Sequence, residues 1–161
     1  MSDKLKILFL SGLPGSGKST YAYAYVKQNP NTVRINKDDI RDILSKKNTH
    51  LTSIFSSINL EKMFGCDWDF ANDCENHLVK FFDHDKKRVL ETIKNDKFKQ
   101  IEALVLEVED AIIKFAVEKK KNIVGDNTHY SEKHVGRYKK FCQGYAFETY
   151  DMHKQGGVSL A

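Results

Sequence analysis

Between residues 12 and 20 the chain reads Gly12-Leu13-Pro14-Gly15-Ser16-Gly17-Lys18-Ser19-Thr20, a match to the pattern G-x-x-x-x-G-K-S/T. No other stretch restricts the fold as strongly. The glycines let the loop curl until consecutive backbone N–H groups face inward at an anion. The loop follows the apolar run Ile7-Leu8-Phe9-Leu10 and precedes a helical pattern from Lys18 to Gln28. It therefore sits where a strand passes into a helix, and the helix amino end adds partial positive charge. This assigns Gly12, Pro14, Gly15, Ser16, Gly17, Lys18, Ser19 and Thr20 to a cradle for a nucleoside triphosphate. Lys18 reaches the β- and γ-phosphates as a point charge and is counted among the catalytic groups. The Ser19 hydroxyl is the expected Mg²⁺ ligand, and Thr20 supports the α-phosphate.

The rest of the chain agrees with that start. Thr32–Ile35, Asn122–Gly125 and Ala146–Tyr150 read as further buried strands, being short, β-branched or apolar, and bounded by polar breaks. The first strand does not alternate, which suits a parallel strand covered on both faces. Helices are expected at 18–28, 38–47 and about 97–121, with a last one from Ser131 to Gly144. In the long one, Ile101, Leu104, Val105, Val108, Ala111, Ile112 and Phe115 fall at helical spacing. Strands alternating with helices imply parallel pairing and right-handed crossovers. The expected architecture is α/β: a P-loop nucleoside-triphosphatase fold with about four parallel strands flanked by helices and a helical insert between the second and third. The length of 161 residues and the lack of Gly/Ser- or Pro-rich linkers predict one domain over 1–161.

Composition excludes other classes. No apolar run is long enough to cross a bilayer, and the start Met1–Lys6 lacks the marks of a secretory signal. Three widely spaced cysteines, Cys66, Cys74 and Cys142, do not make a disulfide framework, so a reducing, cytoplasmic setting is expected. The net charge of +4 permits a phosphate-rich partner without requiring one.

Two further places carry chemistry. After the second strand comes Ile35-Asn36-Lys37-Asp38-Asp39-Ile40-Arg41. Ligands of open α/β sheets lie beyond the carboxyl ends of the strands, so Asp38 and Asp39 fall near the phosphates. A carboxylate there can accept a proton from an attacking hydroxyl, or simply cap the following helix. Arg41, three residues after Asp38, shares its helix face and can pair with a substrate phosphate. The third strand ends in Gly125-Asp126-Asn127-Thr128. Asp126 can hold Mg²⁺ through water, orient Arg41, or serve as a turn aspartate.

The set Gly-x-Pro-Gly-Ser-Gly-Lys-Ser-Thr, Ile-Asn-Lys-Asp-Asp-Ile-Arg and a later strand-ending aspartate resembles the kinase domain of bacteriophage-type polynucleotide kinases. The resemblance covers residues 5–41 well and 122–151 loosely. Those enzymes move the γ-phosphate of ATP to the 5′-hydroxyl of DNA or RNA in nucleic-acid repair. The resemblance implies Asp38 as general base, Arg41 as ligand of the acceptor's phosphate, and Asp126 as the corresponding strand-end aspartate at the substrate. ATP, Mg²⁺ and a DNA or RNA 5′ end are the implied cofactors and partners. Residues 42–121 are then a helical, acceptor-binding insert, longer than the family's. Where the family has Thr-Asn, this chain has Asn127-Thr128. The family continues into a lid with a phosphate-clamping arginine and closing helices. The stretch His153–Val158 holds no arginine, so lid and closing helices are expected to be absent.

Two other readings stay open: a kinase of the same fold acting on a small molecule, nucleoside or modified base, and a non-catalytic nucleotide-binding module. Phe81-Phe82-Asp83-His84-Asp85 is expected as a polar loop between helices rather than a phosphatase motif. Cys66, Cys74 and His77 lack the spacing of a metal site. Trp68 and Phe70 are candidates for base stacking or for the core. Lys133, His134, Arg137, Lys139 and Lys140 form a basic stretch that tracks a nucleic-acid backbone or a solvated helix face.

Overall fold

The computed structural model describes residues 4–152 apart from Pro14, Lys47 and Cys66. Four strands, β1 (Lys6–Ser11), β2 (Thr32–Ile35), β3 (Asn122–Gly125) and β4 (Ala146–Asp151), form one parallel sheet in the order β2-β3-β1-β4. Ile7 pairs with Ile123 and Phe9 with Gly125, while Ile35 lies opposite Gly125 on the other side. β1 and β3 are thus neighbours, and the turns leaving their carboxyl ends face each other.

Side chains alternate along β1. Ile7 and Phe9 enter the larger core with Val33, Ile35 and Ile123, whereas Leu8 and Leu10 pack with Ala22, Val26 and Val124 on the opposite face. Burial on both faces explains the unbroken apolar run. The smaller face is covered by α1 (Lys18–Gln28). β2 leads into α2 (Lys37–Leu44), where Asn36 caps the helix by accepting from the Asp39 N–H at 2.9 Å.

The insert is helical throughout its ordered elements: α3 (Leu51–Ile54), α4 (Ser57–Phe64), α5 (Trp68–Asp83), α6 (Lys86–Asn95) and α7 (Phe98–Glu118). Ser56 and Asp67 cap α4 and α5 through side-chain bonds. Along α5, Phe70, Ala71, Cys74, Leu78 and Phe82 recur at helical spacing and are buried. Phe81–Asp83 thus form the last turn of a helix, not a loop as expected, because burying Phe82 against Phe55 continues the apolar stripe by one turn (rings 5.5 Å apart). α7 buries its predicted positions and also Glu109. α8 (Glu132–Phe141), capped by Ser131, crosses back to β4.

Candidate functional site

The loop between β1 and α1 has the backbone its sequence demands. Gly15 and Gly17 sit at φ 85° and 87°, a region where a side chain costs on the order of 1 kcal/mol. A Cβ on Gly12 would lie 2.7 Å from the Ser16 hydroxyl oxygen and 3.0 Å from the Met152 Cβ. The loop therefore closes tightly on itself and on the end of β4. Pro14 lies outside the described residues. Ser16 Oγ is buried with no hydrogen-bond partner. Lys18, at 8% exposure, sends its ammonium to 3.5 Å from Asp126 Oδ1. That oxygen is also buried and accepts no hydrogen bond. Ser19 and Thr20 are exposed at the mouth. A buried oxygen without a donor asks for an explanation, and a bound ion or ligand is one. This donor set suits a nucleoside triphosphate with Mg²⁺: Lys18 and the helix amino end would hold phosphates, and Ser19 and Asp126 would hold the cation.

Asp126 is fully buried, and Arg34, a strand residue at 3% exposure, holds it. Arg34 Nε donates to Asp126 Oδ2 at 2.9 Å, and Nη1 donates to Asp39 at 2.5 Å, to the Met63 carbonyl at 2.9 Å and to the Tyr23 hydroxyl at 3.1 Å. The guanidinium also lies 4.4 Å from the Tyr23 ring centre. Burial would lower the Arg34 pKa, and Asp39 and Asp126 reverse this and raise it. The arginine that meets Asp126 is thus Arg34 rather than Arg41. Sequence reasoning passed over Arg34, although a cation inside a four-residue buried strand demands an acidic partner. The backbone ties the same turn to α2. Asn36 donates to the Asp126 carbonyl at 2.5 Å, and the Lys37 N–H donates to Asn127 Oδ1 at 2.7 Å.

The two candidate acids of α2 part company. Asp39 turns to Arg34. Asp38 stays 67% exposed in its side chain and pairs with Arg41, one turn on. Asp38 and Arg41, but not Asp39, line a cavity of about 400 Å³ with Lys37, Asn127 and Thr128. Arg41 is held from below by α7: its Nε and Nη2 donate to the Glu102 carboxylate at 2.5 and 2.8 Å. This fork, with Asp38, raises the Arg41 pKa despite burial, and the Arg41 bonds hold the Glu102 carboxyl below its ordinary value. Glu102, 61 residues from Arg41 in sequence, carries no local signal of this role.

The far wall of the cavity belongs to α8. Its basic stretch does not share one face. His134 is buried and meets both oxygens of Glu109 at 3.0 and 3.1 Å. The Tyr138 hydroxyl donates to Glu109 at 2.8 Å, Asn127 Nδ2 at 3.4 Å, and Arg137 pairs with Glu109 and Asp110. Burial alone would push the Glu109 carboxyl up, but His134, Tyr138 and Arg137 together hold it below the ordinary carboxylate value. Lys139 and Lys140 lie over the rings of Phe147 and Phe141. Lys133 lines the cavity.

The remaining candidates fall elsewhere. Cys66 and His153–Val158 are outside the described residues. Cys74 is buried in α5, and the His77 ring stacks on Phe115 at 4.5 Å. Phe70 is core, while Trp68 is 48% exposed at the start of α5. Among the described residues no helix is long and apolar enough to cross a membrane.

A family model described as "AAA domain" matches residues 7–153, nearly the whole chain, and the chain belongs to this family of P-loop kinase-like domains. No curated protein sequence matches the chain. Membership implies a P-loop nucleotide-binding domain of kinase type, with ATP and usually Mg²⁺.

Proposed function

We propose that the protein is an ATP-dependent phosphotransferase whose acceptor hydroxyl enters the cavity beside Asp38, and that the acceptor is the 5′-hydroxyl end of DNA or RNA. The observation that carries this reading is the junction at the end of β3. Asp126 faces Lys18 at 3.5 Å, and the next two residues, Asn127 and Thr128, line the cavity that holds Asp38 and Arg41. Nucleotide loop and acceptor cavity thus share one turn.

When bound, ATP with Mg²⁺ supplies the phosphoryl group and neutralises part of its charge. Lys18 holds the phosphates, with Ser19 at the cation. Asp38, exposed to the cavity, takes the proton of the attacking hydroxyl. Arg41, paired with that carboxylate, presents the acceptor's phosphate. Asp126 and Arg34 fix the floor between the two halves. Residues 42–121 contribute through α7, which carries the counter-charges of the acceptor wall.

The test is transfer of radiolabelled phosphate from ATP to a nucleoside, its 3′-monophosphate and a 5′-hydroxyl oligonucleotide, by wild type and Arg41→Ala. Preference for the phosphate-bearing acceptors, lost in the variant at a cost of roughly 2–4 kcal/mol in kcat/KM, supports the polynucleotide reading. A second reading, a small-molecule kinase, is favoured by the fork between Arg41 and Glu102, which already satisfies the guanidinium. Equal proportional losses on all acceptors would move that reading ahead.

A further inference from the structure

Two buried asparagines join the amino end of α2 to the turn that leaves β3. Asn36 accepts from the Asp39 N–H through Oδ1 and donates through Nδ2 to the Asp126 carbonyl. In the other direction, the Lys37 N–H donates to Asn127 Oδ1 at 2.7 Å. Lys37 is the first residue of α2, and an N–H at that position has no acceptor inside its own helix. Its partner comes instead from a side chain 90 residues further along the chain.

Asn127 is itself held from several sides. It is 3% exposed, and its backbone N–H donates to the Tyr130 hydroxyl at 3.1 Å. Its Nδ2 donates to Glu109 at 3.4 Å. The amide thus faces one donor and one acceptor, which leaves it a single consistent orientation. The Tyr130 ring packs against Phe9 and His134, with both ring centres 4.9 Å away. Its hydroxyl lies so close over residue 125 that a Cβ there would come within 2.3 Å, and Gly125 has none. Glu109, fully buried, is fixed in turn by His134, Tyr138 and Arg137. A side chain whose donor and acceptor both meet partners of this kind has a locked rotamer.

The two ends of this bond adjoin the two halves of the site. Asn127 follows Asp126, which faces Lys18 at 3.5 Å, and Lys37 precedes Asp38. Asp38 has little support of its own: its side chain is 67% exposed, and its ion-pair partner Arg41 lies on the same helix. Where Asp38 stands relative to the nucleotide loop therefore depends on where α2 begins. We propose that Asn127 is a positioning residue: it locks the amino end of α2, and with it Asp38, onto the turn that carries Asp126. This rests on the reading of Asp38 as the base.

The experiment compares Lys37→Pro with Lys37→Ala. Both lose the lysine side chain, and only the proline variant loses the N–H. Proline suits the first position of a helix, and Asn36, at φ −142° and ψ 123°, already has the extended backbone that a following proline requires. In single-turnover transfer from ATP to a 5′-hydroxyl oligonucleotide, Lys37→Pro should be slower than Lys37→Ala by about tenfold or more. Their ATP affinities, read by calorimetry, should agree within about twofold. Asn127→Ala should slow transfer in the same way, and the double variant Asn127→Ala, Asp38→Asn should fall within about threefold of Asp38→Asn alone. A further readout needs no activity. In hydrogen exchange followed by NMR, the Lys37 amide should be protected in wild type and lose about tenfold or more of that protection in Asn127→Ala. Equal transfer rates in the two Lys37 variants, or multiplicative losses in the double variant, reduce Asn127 to a support of the fold and overturn the proposal. An unprotected Lys37 amide in wild type removes the lock itself. Absence of transfer by wild type to every acceptor sinks the phosphotransferase reading, and the lock is then decided by amide exchange.

Discussion

Replacing Arg34 by methionine keeps an unbranched apolar stem and removes the charge and all its donors. In the wild type the guanidinium serves two carboxylates, a backbone carbonyl and a tyrosine hydroxyl, at 3% exposure. Asp39 is partly exposed and recovers water. Asp126 is at 0% exposure and keeps only Lys18, 3.5 Å away. Breaking a buried pair from one side costs about 3–5 kcal/mol, because the partner's charge stays desolvated. For a chain of this size that lowers the melting midpoint by about 10 °C, at about 2–4 °C per kcal/mol. The Met63 carbonyl, left without its donor, adds to the same loss.

The second arm of the experiment is the double variant Arg34→Met, Asp126→Asn. If the cost arises from a stranded carboxylate, making residue 126 neutral should return about 2 kcal/mol. The double variant should then be more stable than the sum of the two single losses predicts. Urea unfolding at pH 7, with equal m-values across the four proteins, gives the coupling. A single-variant loss below about 1 kcal/mol would refute the buried-pair argument. Additive losses, with no return in the double variant, would show that Arg34 stabilises by packing alone.

Lys18→Ala removes a buried ammonium from the nucleotide loop, and calorimetry with Mg²⁺ and ATP should show affinity lower by roughly tenfold or more; unchanged affinity would count against the loop as a nucleotide site. Asp38→Asn keeps shape and removes the base, so turnover should drop by about 10²–10⁴ with ATP affinity little changed; full activity would return Asp38 to a helix-terminal role. Glu109→Gln tests the buried cluster through pH. The folded-state pKa of Glu109 is depressed, so its stabilisation is present above the ordinary carboxylate value of 4.5 and lost as pH falls through the folded value. The variant should be less stable than wild type by about 2–3 kcal/mol at pH 7, and the gap should shrink below about pH 4.5. A gap that widens on acidification would contradict the sign.

Much of this architecture could be read from the chain, because its signals are local. The nucleotide loop, the four strands and α1, α7 and α8 each carry a period or punctuation that needs no tertiary context. β3 was placed at its observed bounds. The insert was legible as helical, but α3 to α6 were not separable, since α3 has four residues and α6 buries only Val89 and Ile93. The structure shows two of its helices starting at caps, Ser56 and Asp67. Glu109 had a signal: it lies four residues after Val105 and three before Ile112, on the buried stripe of α7. A carboxylate there demands several donors, yet nothing local says that they come from α8. Arg34 demanded acids in the same way. Its partners stand at the ends of β2 and β3, so they become visible only once those strands are known to pair. Glu102 had no such signal, being half-exposed and ordinary in its sequence surroundings.

These unread residues share a logic. Glu102, Glu109 and Asp110 rise from the same helix and hold Arg41, His134 and Arg137, which line the cavity beside Asp38. α7 thus acts as a rail of counter-charge beneath that cavity, with Leu106 between the acids at its floor. The arrangement fixes the two arginines of the cavity walls through long-range ion pairs. Fixed arginines define the geometry of the walls, because a bidentate fork has one orientation. A P-loop determined by local sequence and a cavity wall determined by a long-range charge rail can therefore change independently.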